Sequence, residues 1–433
     1  MSVKSNLTNR RAEDEGLGTR GWVPDASGRI IQRWVLVLCG FLLVSASPLF
    51  SQTTKTTKTV SPKITVGAER TDQYIDLLKG KHVALLVNQT SRIGKQHLAD
   101  TLRSLGIDIK VIFAPEHGFR GDGDAGAHVA NTVDAKTGIP IISLYGKKQK
   151  ASAEDLKNVD VVVFDIQDVG CRFYTFLSTL HYMMEACAEN DKPLLILDRP
   201  NPNGYYVDGP VLDMKYRSFV GISQLPVVYG LTLGEYAMLA KGEKWVDSIG
   251  KLDLQVITCH NYDHTTKYKL PVAPSPNLKN ERAIFLYPSL CFFEGTNISV
   301  GRGTLFPFQV IGSPYTELDS AFTFTPKSMP GATDPPYKGQ VCKGYDLRKY
   351  RKDLSTEMKG VNIMYLLRMY SLTLNKDKFF ISGDFFDRLA GSDELRKHII
   401  AGKTEAEIKE SWQPALKAYK EMRKKYLLYK DFE

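Results

Sequence analysis

Between apolar runs at 109–114 and 140–144 the chain reads Pro115-Glu116-His117-Gly118-Phe119-Arg120-Gly121-Asp122-Gly123-Asp124-Ala125-Gly126, its densest collection of reactive side chains. A glutamate can give or take a proton. A neighbouring histidine and arginine can tune it or hold an anion, and the glycines let backbone come close to a ligand. Two plainer readings compete. One is an ordered loop in which Glu116 pairs with Arg120. The other is a metal site drawn from Glu116, His117, Asp122, Asp124 and His128. The spacing argues against a metal. Adjacent Glu116 and His117 do not match a zinc-peptidase helix, and Asp122-x-Asp124 lacks the later glutamate of a calcium loop.

The elements that must position this loop form a regular pattern. Apolar runs at 83–87, 109–114, 140–144, 161–166 and 194–197 alternate with helical spacing at 72–78, 96–105, 153–156 and 173–188. Such alternation predicts an α/β fold with a parallel sheet covered on both faces. Ligands then bind beyond the carboxyl ends of the strands. Polar residues follow four of these runs: Asn88, Gln89, Thr90 and Ser91; Glu116, His117 and Arg120; Gln167, Asp168 and Arg172; Asp198, Arg199, Asn201 and Asn203. Turns need similar residues, so each segment alone is also explained as turn chemistry. The stretch from Asp165 through Arg172 and Tyr174 to Thr175 opens a helix whose N-terminus favours an anion. Arg172 is suited to a bidentate carboxylate contact. Cys171 has no evident base beside it and reads as a packed thiol.

No G-x-G-x-x-G follows the first strand, no Walker motif occurs, and no G-x-S-x-G elbow is present. We therefore expect no nucleotide, no nucleic acid and no cofactor. Beyond about 225 the texture changes, with Pro- and Asn-rich stretches and helical spacing over the last thirty residues. This predicts a first domain at 66–225 and a smaller α/β or α+β domain at 226–433. Within the second, Pro274-Ser275-Pro276-Asn277 and Phe293-Glu294-Gly295-Thr296-Asn297, followed by Gly301-Arg302-Gly303-Thr304, would suit the opposing wall of a cleft.

The 433 residues are 43% hydrophobic and 24% charged, which excludes a disordered chain. Arg29 and Arg33, an apolar core at 34–44 and then Ser45, Ala46 and Ser47 predict a cleaved signal peptide at 1–51. The Thr- and Lys-rich 52–65 predicts a linker. Removing 1–51 would leave a net charge of +7 from the +9 of the whole chain. We expect no stable membrane span after cleavage. Five of the six cysteines would remain, an odd number without a C-x-x-C pair, which is neither a disulfide framework nor a zinc site. Export without evident disulfides fits a bacterial periplasm or cell surface.

Taken together, Glu116-His117-Gly118-Phe119-Arg120-Gly121, Leu144-Tyr145-Gly146, 164–175, Leu197-Asp198-Arg199-Pro200-Asn201-Pro202, Pro274–Asn277, Glu294–Asn297 and Gly301–Thr304 resemble the exo-β-N-acetylmuramidase (NamZ) family over roughly residues 66–430. The resemblance implies a Rossmann-like N-terminal domain without nucleotide and a smaller C-terminal domain closing a cleft. It also implies release of terminal N-acetylmuramic acid from peptidoglycan fragments, with Glu116 as the key acid. His117 or Arg120 would orient Glu116. Asp168 and Glu294 are the candidates for the second carboxylate that glycoside hydrolysis usually needs. Muramic acid carries a lactyl carboxylate, so Arg120, Arg172 or Arg302 must be considered for it. Asn88, Thr90, Tyr174, Asp198, Arg199, Asn277 and Asn297 complete the expected substrate-binding set. A non-catalytic peptidoglycan-binding module and a metal-dependent hydrolase are the alternatives.

Overall fold

The computed structural model describes residues 63–120, 131–318, 322–349, 359–381 and 383–433. The predicted signal peptide, most of the linker, and Asp122, Asp124 and His128 lie outside these residues.

Apolar runs become buried strands. β1 (His82–Val87) is followed by a short ribbon, β2 (Arg92–Ile93) and β3 (Gln96–His97), and then by β4 (Asp108–Ala114), β5 (Thr132–Val133), β6 (Pro140–Ser143), β7 (Val161–Asp165), β8 (Leu194–Leu197) and β9 (Leu254–Ile257). Every residue of β7 and β8 is buried, as expected of strands covered on both faces. Successive side chains point to opposite sides. Ala84, Leu86, Val162 and Phe164 enter one core, and Val83, Leu85, Val87 and Val163 the other. Among the helices α1 (Ile75–Leu78), α2 (Leu98–Ser104), α3 (Ala153–Leu156) and α4 (Phe176–Glu189), α2 supplies Leu98, Ala99 and Leu102 to the second core. On the opposite face α4 supplies Leu177, Leu180, Met183 and Met184.

The strand order is β5-β6-β4-β1-β7-β8-β9. All pairings are parallel except that of the short edge strand β5 with β6. From β1 the chain moves outward through β4 to β6, then returns to β7 on the other side of β1. This is the Rossmann-like order, with its reversal point between β1 and β7, where open α/β sheets place ligands.

Three sequence expectations shift. The parallel sheet does not end by 225, because β9 pairs with β8. It is an edge strand with only Ile257 buried, so its run is weaker than the others. The helix expected from 96 begins at Leu98, because 96–97 pair in the ribbon and the His97 ring accepts a hydrogen bond from Ala99 N. The helix expected from 173 begins at Phe176, because the preceding residues tie to another segment: Arg172 N donates to Val227 O at 2.8 Å.

Further on, α5 (Leu233–Gly242) is capped by Thr232, whose side chain accepts from Glu235 N. It is followed by α6 (Glu281–Leu290) and a three-stranded antiparallel sheet, β10 (Val310–Ser313), β11 (Thr323–Phe324) and β12 (Cys342–Asp346), in the order β10-β12-β11. A helix over Glu405–Arg423 starts on a Thr404–Glu407 capping box. Among the described residues no helix is long and apolar enough to cross a membrane. The five described cysteines are all buried free thiols.

Candidate active site

A cavity of about 620 Å³ opens at the carboxyl ends of β4, β6 and β7. The loops after these strands contribute Glu116 and His117, Tyr145, and Phe173 to Thr175. The second half of the chain contributes Ser275, Asn277, Tyr287, Glu294, Arg302 and Phe308. Glu116 is half-buried. Its Oε2 accepts a hydrogen bond from Thr175 Oγ1 at 2.6 Å. Tyr145 also hydrogen-bonds Glu116; burial raises the tyrosine hydroxyl's pKa, and the nearby glutamate raises it further. Two hydroxyls therefore fix one carboxyl. A tight turn aims it: Gly118 N donates to Pro115 O at 3.0 Å. His117, within that turn, has φ 70°, a left-handed geometry that turns usually give to glycine.

Glu294 and Arg302 form the second polar group of the cavity, with Arg302 Nε 2.6 Å from Glu294 Oε1. Burial works against the Arg302 charge, and the pair with Glu294 more than restores it. The guanidinium carbon lies 5.1 Å from the Phe308 ring centre, and Phe308 packs edge-on to Tyr287 at 4.9 Å. Arg302 Nη1 is buried without a hydrogen-bond partner. Asn277 is held by its Nδ2 on Gly331 O at 2.9 Å. Asp334 also reaches the cavity, but its side chain is 92% exposed.

Of the residues expected from the sequence, Glu116, His117, Tyr174, Asn277, Glu294 and Arg302 line this cavity; the others sit elsewhere. Asn88 Oδ1 accepts from Thr90, whose Oγ1 in turn accepts from Gln167 N at 3.0 Å, tying the end of β1 to that of β7. Arg120 pairs with Asp134 at 2.8 Å, not with Glu116, and stacks on Phe119. Asp168 is buried, accepting from Gly170 N at 2.6 Å and from the Tyr229 hydroxyl. Burial pushes its carboxyl up to about 7 against those hydrogen bonds. Arg172 is fully buried on three backbone carbonyls, Pro210, Leu225 and Leu389, and burial lowers it to about 9. Asp198 holds Gly234 N and the Tyr429 hydroxyl, and Arg199 holds Asp165 with Nη2–Oδ2 at 2.9 Å. The backbone nitrogen of Asn297 donates to Phe379 O at 2.7 Å. Asn88, Thr90, Asp168, Asp198 and Arg199 brace the strand ends, and none of them lines the cavity.

Tyr145 and Thr175 were absent from the expected set. Tyr145 follows β6, and extending the strand-end rule to that strand would have found it. Thr175 ends the 164–175 stretch noted above, but a hydroxyl before a helix reads first as a cap. Among the described residues no cluster of three or more His, Cys, Asp or Glu side chains suits a metal.

Comparisons with known proteins agree with this architecture. Residues 83–282 match the family model described as exo-β-N-acetylmuramidase NamZ, N-terminal, and residues 285–429 match its C-terminal counterpart. The chain is 38% identical over 390 residues to peptidoglycan β-N-acetylmuramidase NamZ of Bacillus subtilis (strain 168), covering 85% of this chain and 92% of that protein. A DUF1343 family protein from Bacteroides fragilis NCTC 9343, solved at 1.30 Å, superposes with a TM-score of 0.79 at 47% identity, over 86% of this chain and all of that one. A second from the same organism, solved at 1.65 Å, gives 0.70 at 27% identity, over 85% of this chain and all of that one.

Proposed function

The chain belongs to the exo-β-N-acetylmuramidase NamZ family, and from that premise we propose that it hydrolyses a terminal β-linked N-acetylmuramic acid residue from peptidoglycan fragments, with Glu116 as general acid and base. The observation that carries this reading is the placement of Glu116 beyond a strand end, in a sugar-sized cavity, on hydroxyls from two other strand ends. Glycoside hydrolysis needs a carboxyl to protonate the departing oxygen and usually a second carboxylate across the sugar. Glu294 serves as the second, since Asp168 lies outside the cavity and is committed to Tyr229 and Gly170. Thr175 and Tyr145 keep Glu116 in one orientation, so little rotational freedom is lost when the glycosidic oxygen arrives. His117 forms the turn that delivers it.

The predicted signal peptide supports action outside the cytoplasm, where such fragments arise. Incubating the purified protein with a disaccharide of N-acetylmuramic acid β-linked to N-acetylglucosamine tests the reading. Release of both free sugars is expected. Binding without release would instead indicate a peptidoglycan-binding module.

A further inference from the structure

N-acetylmuramic acid differs from N-acetylglucosamine by one lactyl ether, so a site that selects it needs a group for that carboxylate. Of the three candidate arginines, two do not line the cavity. Arg120 is paired with Asp134, and Arg172 donates from Nη1 and Nη2 to three carbonyls. Arg302 differs. It lines the cavity together with Glu116, and Glu294 takes its Nε, yet Nη1 is buried without a partner. A buried donor left unpaired is costly, and an occupant that pairs it recovers that cost.

The backbone around Arg302 is built to hold it in place. Gly301 and Gly303 flank it, both left-handed at φ 80° and 78°. A Cβ on Gly301 would lie 2.5 Å from Val310 Cγ2, and one on Gly303 would lie 2.4 Å from Pro335 Cγ. Gly301 N is fixed by Ser299 Oγ at 3.1 Å. Below the guanidinium lies the Phe308 ring. Tyr174 and Ser275 also line this cavity.

Resting on the function proposed above, we infer that Arg302, fixed by Glu294, receives the lactyl carboxylate of the substrate sugar and so selects muramic acid over glucosamine. A guanidinium with one edge committed to Glu294 still offers Nη1 for a second carboxylate, and its planar fork suits that geometry better than an ammonium.

Binding of free sugars tests this separately from catalysis. Calorimetry of the wild-type protein with N-acetylmuramic acid and with its methyl ester should show the acid binding roughly 100-fold more tightly, the preference expected when a buried donor loses its partner. In Arg302→Met the acid-to-ester ratio should fall to within about threefold of unity, and Arg302→Lys should keep part of the preference. Equal binding of acid and ester by the wild type, or an undiminished ratio in Arg302→Met, overturns the inference while cleavage of muramic acid glycosides leaves the function standing. A wild-type protein that neither binds nor cleaves muramic acid compounds overturns both. If Arg302→Met does not fold, the wild-type ratio and Arg302→Lys decide the question.

Discussion

Thr175 Oγ1 donates a 2.6 Å hydrogen bond to Glu116 Oε2 across 59 residues of sequence. Glu116 follows β4, Thr175 follows β7 and leads into α4, and β1 lies between the two strands. Both strands run parallel to β1, which brings their carboxyl ends to one edge of the sheet. The fold thus converts two separate turns into one oriented carboxyl.

Removing that hydroxyl should lower turnover without unfolding the chain. Thr175→Ala is expected to reduce kcat about tenfold, a loss of ~1.4 kcal/mol in transition-state stabilisation, with Thr175→Ser restoring most of it. Steady-state kinetics on a chromogenic muramic acid glycoside reads this. A kcat within twofold of wild type would show that the contact does not position Glu116.

Asp168 should make stability pH-dependent. Burial raises its folded pKa to about 7, well above the usual carboxylate value, so the folded protein binds a proton that the unfolded chain releases. Stability from this group is complete below about pH 4 and is lost as pH rises through about 7. Urea midpoints at pH 5 and pH 8 should therefore fall further in the wild type than in Asp168→Asn. Equal slopes in the two proteins would contradict the buried, protonated carboxyl.

Arg172 should matter for stability and not for sugar choice. Arg172→Met leaves the Pro210 and Leu389 carbonyls without the donor that Arg172 supplies, while Leu225 O keeps Leu212 N; each unpaired carbonyl costs about 1–3 kcal/mol. A large drop in the urea midpoint is expected, with an unchanged ratio of acid to ester binding in whatever fraction folds. A change below about 1 kcal/mol would mean that those carbonyls find other partners.

Much of this architecture was legible because strands buried on both faces leave no choice but continuous apolar runs. Residues 83–87, 161–166 and 194–197 announced themselves in that way, whereas β9, half-exposed at the sheet edge, was read into the second domain. The site was only partly legible for a related reason. A polar residue after a buried strand is equally useful for facing a ligand and for satisfying the backbone of its neighbours. Arg172 and Arg302 both sit among glycines and aromatics in sequence, yet one gives both its Nη atoms to carbonyls away from the cavity and the other faces the cavity with Nη1 unpaired. Only the packing of distant segments, such as Leu389 against Arg172, distinguishes the two. The Glu116–Arg120 pairing allowed by sequence proximity gives way to Asp134, whose carboxyl also collects Thr137 and stays below its usual range despite its burial.

Glu116→Gln keeps the shape of the side chain and its place beside Thr175 but removes its acid. With a chromogenic N-acetylmuramic acid glycoside, kcat should fall by about 100-fold or more while the protein still binds free N-acetylmuramic acid. Turnover near the wild-type rate in a folded Glu116→Gln protein would remove Glu116 from the chemistry.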